Sequence, residues 1–201
     1  MKYPSGQNPA QFIPWQPSTW PNSPVAFDNN FAQALEEIIH ETILNEIGNV
    51  ISDAQQTTGS LEHRGHVVAL AMLCAVDTIS SYAFPRTRVH CRVCGLGDGV
   101  GPRYQKFIVT FFPEDYQPFA KDLYDLHRNS MVHSWNLFKA GICPGNEKIN
   151  KIGGVFLFGL LNFFNALNIS VQNFLLTLPE DLSLQQASLT RYKELKDSTL
   201  P

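Results

Sequence analysis

Apolar residues recur every three or four positions along most of the chain, a spacing that predicts helices. The first such stretch runs from residue 27 to residue 51 and keeps its acidic side chains and His40 off the apolar face. A second helix is predicted from Ser60, which is a suitable N-cap. Within it, the segment from Val67 to Val76 is apolar on nearly every side, as expected of the central helix of a bundle.

The second half of the chain predicts four more helices, and prolines or glycines separate most of them. No stretch alternates apolar and polar residues over a convincing length, so no strand is predicted. The pattern therefore predicts an all-α fold, an antiparallel helical bundle. The four helices cover residues 103–112, 115–138, 152–179 and 179–196, with a turn at 141–145.

The segment from Ile152 to Pro179 contains no charged residue, which makes it the membrane candidate of the chain. Four amides, however, share one side of this helix at spacings of three, three and four residues. Each amide is costly in hydrocarbon unless it is paired. The segment is therefore predicted to be a buried or interface helix with an amide stripe, and no membrane association is expected. The four amides are Asn162, Asn165, Asn168 and Gln172.

Two regions interrupt the helical pattern and define the predicted domains. Residues 1–26 are predicted to form an irregular arm, because six prolines fall within them and proline breaks helices and ladders. Residues 85–102 are predicted to form a loop rich in glycine and arginine. One helical bundle, residues 27–197, carries this loop. The arm lacks the apolar core of a signal peptide, so no export is expected.

Composition and charge narrow the class of protein. Charged residues make up 16% of the 201 residues, whereas about 25% is typical of globular proteins. So few charges favour self-association. A net charge of −3 excludes a basic coat over the whole surface, so any nucleic acid needs a local patch. Four cysteines are too few for a disulfide scaffold and are typical of a reducing compartment, here the cytoplasm.

The helix predicted from Asp115 carries the most informative side chains. Leu123 and Leu126 belong to its apolar face, while a polar arc includes Asn129 and His133. These two polar residues are four apart, so their side chains can touch. His133 falls at the border of the apolar face, where partial desolvation easily moves the pKa of an imidazole.

The run Arg128-Asn129-Ser130-Met131-Val132-His133 resembles the signature of HEPN domains, in which an arginine and a polar residue precede a histidine. HEPN domains are helical bundles found in many RNA-cleaving toxins and defence proteins. The resemblance covers this motif and the helical layout of residues 27–197. It implies that Arg128 and His133 are catalytic, that Asn129 supports them, and that two motifs line one cleft in a homodimer. It also leaves open a partner of the antitoxin or nucleotidyltransferase kind.

The chemistry of these side chains suits metal-independent cleavage of single-stranded RNA. Histidine can transfer the protons of an attack by the 2′-hydroxyl, and arginine can bind the charge that grows on the phosphate oxygens. The need for a 2′-hydroxyl restricts the activity to RNA. Residues five apart are separated by about 140° around a helix, so one helix does not bring both head groups to one phosphate. The HEPN dimer resolves this difficulty, and the chemistry requires no cofactor.

Two alternatives stay open for this bundle. The first is a non-catalytic module that dimerises and binds RNA or a nucleotide, as is known for HEPN domains. In the second, Arg128 pairs with Asp125 on the helix surface, an interaction worth about 0.5 kcal/mol, and His133 only borders the core.

The one concentrated positive stretch lies between Pro85 and Phe112 and includes a single acid, Asp98. Its glycines let the backbone approach a phosphate, so the stretch is predicted to guide RNA. The alternative is a solvated loop that its arginines keep soluble. The predicted RNA-binding residues are Arg86, Arg88, Arg92, Arg103 and Lys106.

Two patterns match only parts of metal sites. Cys91 and Cys94 have zinc-knuckle spacing, but zinc takes four ligands, and Cys143 with a histidine would have to complete the set. Free thiols are therefore favoured. Glu37 and His40 have the spacing of a di-iron bundle, which needs two such pairs. No metal site is predicted. A metalloprotein stays open as a third hypothesis, beside the endoribonuclease and the non-catalytic binding module.

Overall fold

The computed structural model describes residues 35, 37–58, 61, 64–84, 100–126 and 140–197. Within these ranges the chain is mostly helical, as predicted, and it also contains a small sheet. A π-helix, Glu37–Leu44, leads directly into the α-helix Asn45–Thr58. The α-helices are α1 (Asn45–Thr58), α2 (Gly65–Ala83), α3 (Val100–Phe111), α4 (Ala120–Asp125), α5 (Leu160–Thr177) and α6 (Leu182–Asp197).

Helix α2 is the central helix, as its uniformly apolar sequence predicts. It packs against α1, α3, α5 and α6. The side chains of Val68, Met72 and Val76 on α2 are at most 1% exposed. Among the described residues, α2 is also the one helix long and apolar enough to cross a membrane, but 61% of that stretch is buried inside the fold. Burial of this extent is consistent with the core helix of a soluble protein.

Aromatic rings fill the space between α3 and α5. The ring centroids of Phe107 and Phe174 are 6.1 Å apart. Phe163, near the start of α5, lies 5.8 Å from Phe112 and 5.4 Å from Phe158 of the sheet. Tilted and edge-to-face ring pairs of this kind contribute about 0.5–1.5 kcal/mol each beyond the burial of their area. The cluster therefore ties the sheet to the helical core.

The sheet comprises β1 (Ala140–Cys143), β2 (Asn150–Ile152) and β3 (Val155–Gly159), in the order β1–β3–β2. β1 pairs with β3 in parallel, and β2 pairs with β3 antiparallel. Gly153 and Gly154 close the β2–β3 hairpin with φ angles of 58° and 82°. Glycine adopts such angles without strain, and they match a two-residue type I′ turn.

This sheet departs from the predicted all-α fold. Residues 152–159, expected to begin a helix, form the end of β2, the hairpin turn and β3, and residues 141–143, expected to form a turn, belong to β1. β3 is apolar throughout and runs directly into an apolar helix, so it has no alternation to reveal it. The sequence did contain one hairpin signal, the Gly-Gly pair between apolar residues.

A second difference concerns the helix predicted to start at Asp115. A 3₁₀ turn, Gln117–Phe119, comes first, and the regular helix α4 follows it. The N–H of Phe119 donates to the carbonyl of Tyr116 at 3.0 Å, an i+3 bond. Pro118 has no N–H to donate, which favours this tight turn over a regular first turn of α-helix.

Several interpretations of the sequence lie outside the described residues. They concern the proline-rich arm of residues 1–26, the start of the first predicted helix, and most of the loop predicted at 85–102.

Candidate functional site

Helix α4 leads the chain into the predicted catalytic motif. Its apolar side faces the core, since Leu123 is fully buried and Leu126 is 4% exposed. Asp122 and Asp125, on the predicted polar arc, are half-buried. Leu126 keeps helical backbone angles, with φ −60° and ψ −50°. The predicted division into two faces is therefore confirmed over the described start of this helix.

Both carboxylates of α4 have lysine partners. Lys151 on β2 donates from Nζ to Asp122 Oδ1 at 2.7 Å. Lys121 donates to Asp125 Oδ2 at 2.5 Å, one helical turn away. The hydrogen bond to Asp125, reinforced by the charge of that residue, raises the pKa of Lys121. An ion pair between Arg128 and Asp125, one of the alternatives above, would share this carboxylate with Lys121.

The segment between Phe119 and Ala140 carries the predicted motif and is called the motif-bearing segment. Both of its ends contact strand β3. Before α4, the ring of Phe119 lies 5.8 Å from that of Phe156 on β3. After the motif, Ala140 opens β1 and is the register partner of Phe156. The ion pair between Lys151 and Asp122 adds a third link between the hairpin and α4. The sheet thus holds both ends of the segment close together.

The predicted catalytic residues themselves lie outside the described residues, so the arrangement of their head groups stays a prediction. The same applies to three of the five predicted RNA-binding cations. The residues concerned are Arg128, Asn129, His133, Arg86, Arg88 and Arg92.

The other two predicted RNA-binding cations make contacts within the fold. Arg103 on α3 donates from Nη2 to Asp77 Oδ1 on α2 at 2.9 Å, and its side chain is 9% exposed. Lys106 places its Nζ 4.4 Å from the ring centroid of Phe84, a cation–π distance. A phosphate that bound Arg103 would have to compete with Asp77. A role for Arg103 and Lys106 in RNA binding stays a prediction.

Asp77 also acts on two protonated groups nearby. Tyr104 is fully buried, and burial raises the pKa of its phenol well above the usual value, with Asp77 adding to the effect. Burial, and then the charge of Asp77, also raises the pKa of the Cys74 thiol. Both groups therefore keep their protons at neutral pH, and Cys74 is a poor nucleophile. This polar cluster joins α2 to α3 and supplies no reactive thiolate.

The described part of the chain offers no metal centre, since no three His, Cys, Asp or Glu side chains come together within it. His40 lies in the π-helix and is 4% exposed. Desolvation lowers the pKa of His40 to about 4, so its imidazole is neutral at pH 7. Cys143, considered above as a further zinc ligand, is a free thiol on β1. Cys91 and Cys94 lie outside the described residues.

A cavity of about 530 Å³ lies where four helices begin or end. Phe84 follows α2, Phe111 and Thr177 are the last residues of α3 and α5, and Asp181 precedes α6. Volumes of about 300–1,000 Å³ are typical of sites for small molecules. Asn173 donates from Nδ2 to the carbonyl of Phe111 at 2.8 Å, which satisfies one of the free carbonyls at the end of α3.

Sequence reasoning missed this cavity because its lining comes from segments that are far apart along the chain. The amides of α5 were the available signal. Asn162 accepts a hydrogen bond from Tyr116 Oη at 2.6 Å and donates to the carbonyl of Asn146 at 3.3 Å. Asn162 and Asn173 thus bind other elements of the fold, whereas Asn168 donates to the carbonyl of Phe164 in its own helix. The prediction of a buried or interface helix with amide side chains is confirmed for the buried alternative from Leu160 to Thr177.

No family model matches the chain, and searches of curated proteins and of solved structures gave no match.

Proposed function

We propose that this protein is a HEPN-like, metal-independent endoribonuclease that cleaves single-stranded RNA. The observation that carries the proposal is the run from Arg128 to His133, in which an arginine, an amide and a histidine follow one another at the spacing of that family. Two structural features support it. The described chain is mostly helical, and the chain enters the motif from a helix whose polar side reaches solvent.

The proposed reaction needs only these side chains, the RNA and water. The 2′-oxygen attacks the neighbouring phosphorus, a 2′-O–P bond forms, and the P–O5′ bond breaks. His133 carries out one of the two proton transfers, from the 2′-hydroxyl or to the departing 5′-oxygen, and water carries out the other. Arg128 binds the negative charge that grows on the phosphate oxygens, and Asn129 orients the imidazole. The products are a 2′,3′-cyclic phosphate and a 5′-hydroxyl.

The active species in this proposal is a homodimer in the cytoplasm. On a continuous helix Arg128 and His133 would diverge by about 140°, so two motifs facing one cleft provide the pair that one motif lacks. The low content of charged residues, 16%, supports self-association. An antitoxin or a nucleotidyltransferase would be the partner that controls such an enzyme.

The test uses the full chain, a labelled single-stranded RNA and excess chelator. The wild-type protein should cleave the RNA and leave a 2′,3′-cyclic phosphate, while the matching DNA should stay intact. His133→Ala should lower the cleavage rate by about 100-fold or more, the range expected for loss of a proton-transfer group. Ser130→Ala, at a variable position of the motif, is the matched control and should keep the wild-type rate.

Two results would overturn the nuclease proposal. One is cleavage by His133→Ala at the wild-type rate, with circular dichroism showing an unchanged helical content. The other is RNA binding by the wild-type protein without any cleavage, which would leave the non-catalytic binding module in its place. Binding to phosphates would then weaken steeply with added salt.

A further inference from the structure

Apolar side chains line part of the cavity at the helix ends. The rings of Phe84 and Phe111 stack there with centroids 6.1 Å apart and an interplanar angle of 26°. Leu184, from the first turn of α6, lines the same cavity and is 6% exposed. Leu176 stands at the rim, 72% exposed. The exposed leucine and the half-buried ring of Phe84 provide apolar surface that a ligand could cover.

Two opposite charges line this cavity without forming an ion pair with each other. Lys106 has its Nζ over the ring of Phe84 and has no carboxylate partner among the described residues. Asp181 uses one oxygen, Oδ1, to accept the N–H groups of Ser183 (2.8 Å) and Leu184 (3.1 Å) as the N-cap of α6. Its second carboxylate oxygen has no described partner, so each side chain can still bind a charge.

We propose that this cavity binds a zwitterion of amino-acid size with an apolar side chain. The ligand carboxylate would pair with Lys106, its ammonium group with Asp181, and its apolar part would cover the half-buried Phe84 and the exposed Leu176. This ligand matches the one cation, the one anion and the aromatic rings of the described lining. The proposal does not depend on the nuclease activity.

The helix ends argue against a phosphate-bearing ligand here. α2, α3 and α5 end at this cavity, and the C-terminus of a helix carries a partial negative charge. α6 begins there, but Asp181 already accepts N–H groups of its first turn. Together with Asp181, these ends favour an ammonium group and disfavour a phosphate. Lys106 is the one cation among the described residues of the lining, enough for a single carboxylate. A nucleotide is therefore the competing ligand that the experiment has to exclude.

The first experiment measures ligand binding to the full chain by calorimetry and thermal shift. L-phenylalanine should bind saturably and raise Tm, because a ligand that binds only the folded state stabilises it. Phenethylamine lacks the carboxylate and 3-phenylpropanoate lacks the amine. Each should bind at least about tenfold more weakly than L-phenylalanine, as expected for loss of one charged hydrogen bond. Uridine monophosphate serves as the nucleotide probe.

The second experiment removes each charge of the cavity in turn. Lys106→Met should weaken L-phenylalanine about tenfold or more but leave phenethylamine unchanged, since that probe has no carboxylate. Asp181→Asn should weaken both, and asparagine preserves the N-cap. Lys148→Met and Asp53→Asn alter exposed residues elsewhere and should have no effect.

Three results would overturn the proposal. The first is no binding of L-phenylalanine at about 10 mM, far above the range of a specific site. The second is equal binding of L-phenylalanine by the two cavity variants and the wild type. The third is tighter binding of uridine monophosphate than of L-phenylalanine by the wild type. None of these measurements involves RNA cleavage, so the outcome is independent of the nuclease test.

Discussion

The helices around α2 and the sheet between Ala140 and Gly159 are stabilised in different ways. In the helical part, Phe107 and Phe174 are fully buried and contact each other through their rings. In the sheet, β2 is exposed along its length, β3 buries Phe156 and Phe158, and Gly159 packs against the backbone of Glu147. Burial of apolar area thus stabilises the helices, whereas the sheet is attached through the buried rings of β3 and the close backbone contact at Gly159. The helices provide the stability, and the sheet fixes the ends of the motif-bearing segment.

The largest loss of stability should follow from removal of a buried aromatic ring in the helical part. Phe107→Ala removes a fully buried ring and should lower the free energy of unfolding by about 3–5 kcal/mol, measured by urea denaturation. Val109→Ala on the same helix is the control, because Val109 is 52% exposed and its truncation should cost less than about 0.5 kcal/mol. If both substitutions lowered the free energy of unfolding equally, the conclusion that buried aromatic rings stabilise the helical part would be contradicted.

A smaller and more local effect is expected at the sheet. A Cβ at Gly159 would lie 2.6 Å from both the backbone N and O of Glu147, which no change of rotamer can relieve. Gly159→Ala should therefore cost about 3 kcal/mol, the upper end for overpacking. A Cβ at Gly141 would meet only the flexible end of the Leu157 side chain, so Gly141→Ala should cost less.

Amide hydrogen exchange tests where the Gly159 variant opens. Protection should fall in β3 and at the start of α5, while α2 keeps its slow exchange. An equal loss of protection in α2 would mean that the sheet and the helices form one cooperative unit, contrary to the comparison above.

The smallest of these effects is a pH dependence within the helical part. The folded pKa of His40, about 4, lies below its usual 6.5, so the unfolded chain binds the proton more readily. Stability contributed by neutral His40 is complete above pH 6.5 and is lost as the pH falls towards 4. The free energy of unfolding should fall by about 2 kcal/mol between pH 7 and pH 5. His40→Gln should flatten this slope, whereas substitution of the exposed His66 by glutamine should preserve it.

The contrast between the helices and the sheet also explains which features of the fold the sequence could predict. α2 was predictable because an unbroken apolar segment determines its burial locally. The two faces of α4 followed from helical periodicity alone. The pairing of β1 with β3 was not predictable, because it depends on a contact between residues 16 positions apart, such as Ala140 and Phe156. Arg103 is a similar case, since its basic neighbours favoured a surface role and its partner Asp77 lies 26 positions away.

Helix α5 separates the two parts of the molecule to which functions are proposed. Its N-terminal end follows the sheet that holds the motif-bearing segment, and its C-terminal end reaches the cavity. Eighteen residues of helix extend about 27 Å. Substitutions so far apart usually have additive effects on stability. A protein altered at both ends should therefore combine two independent changes, so that each end can be redesigned without readjusting the other.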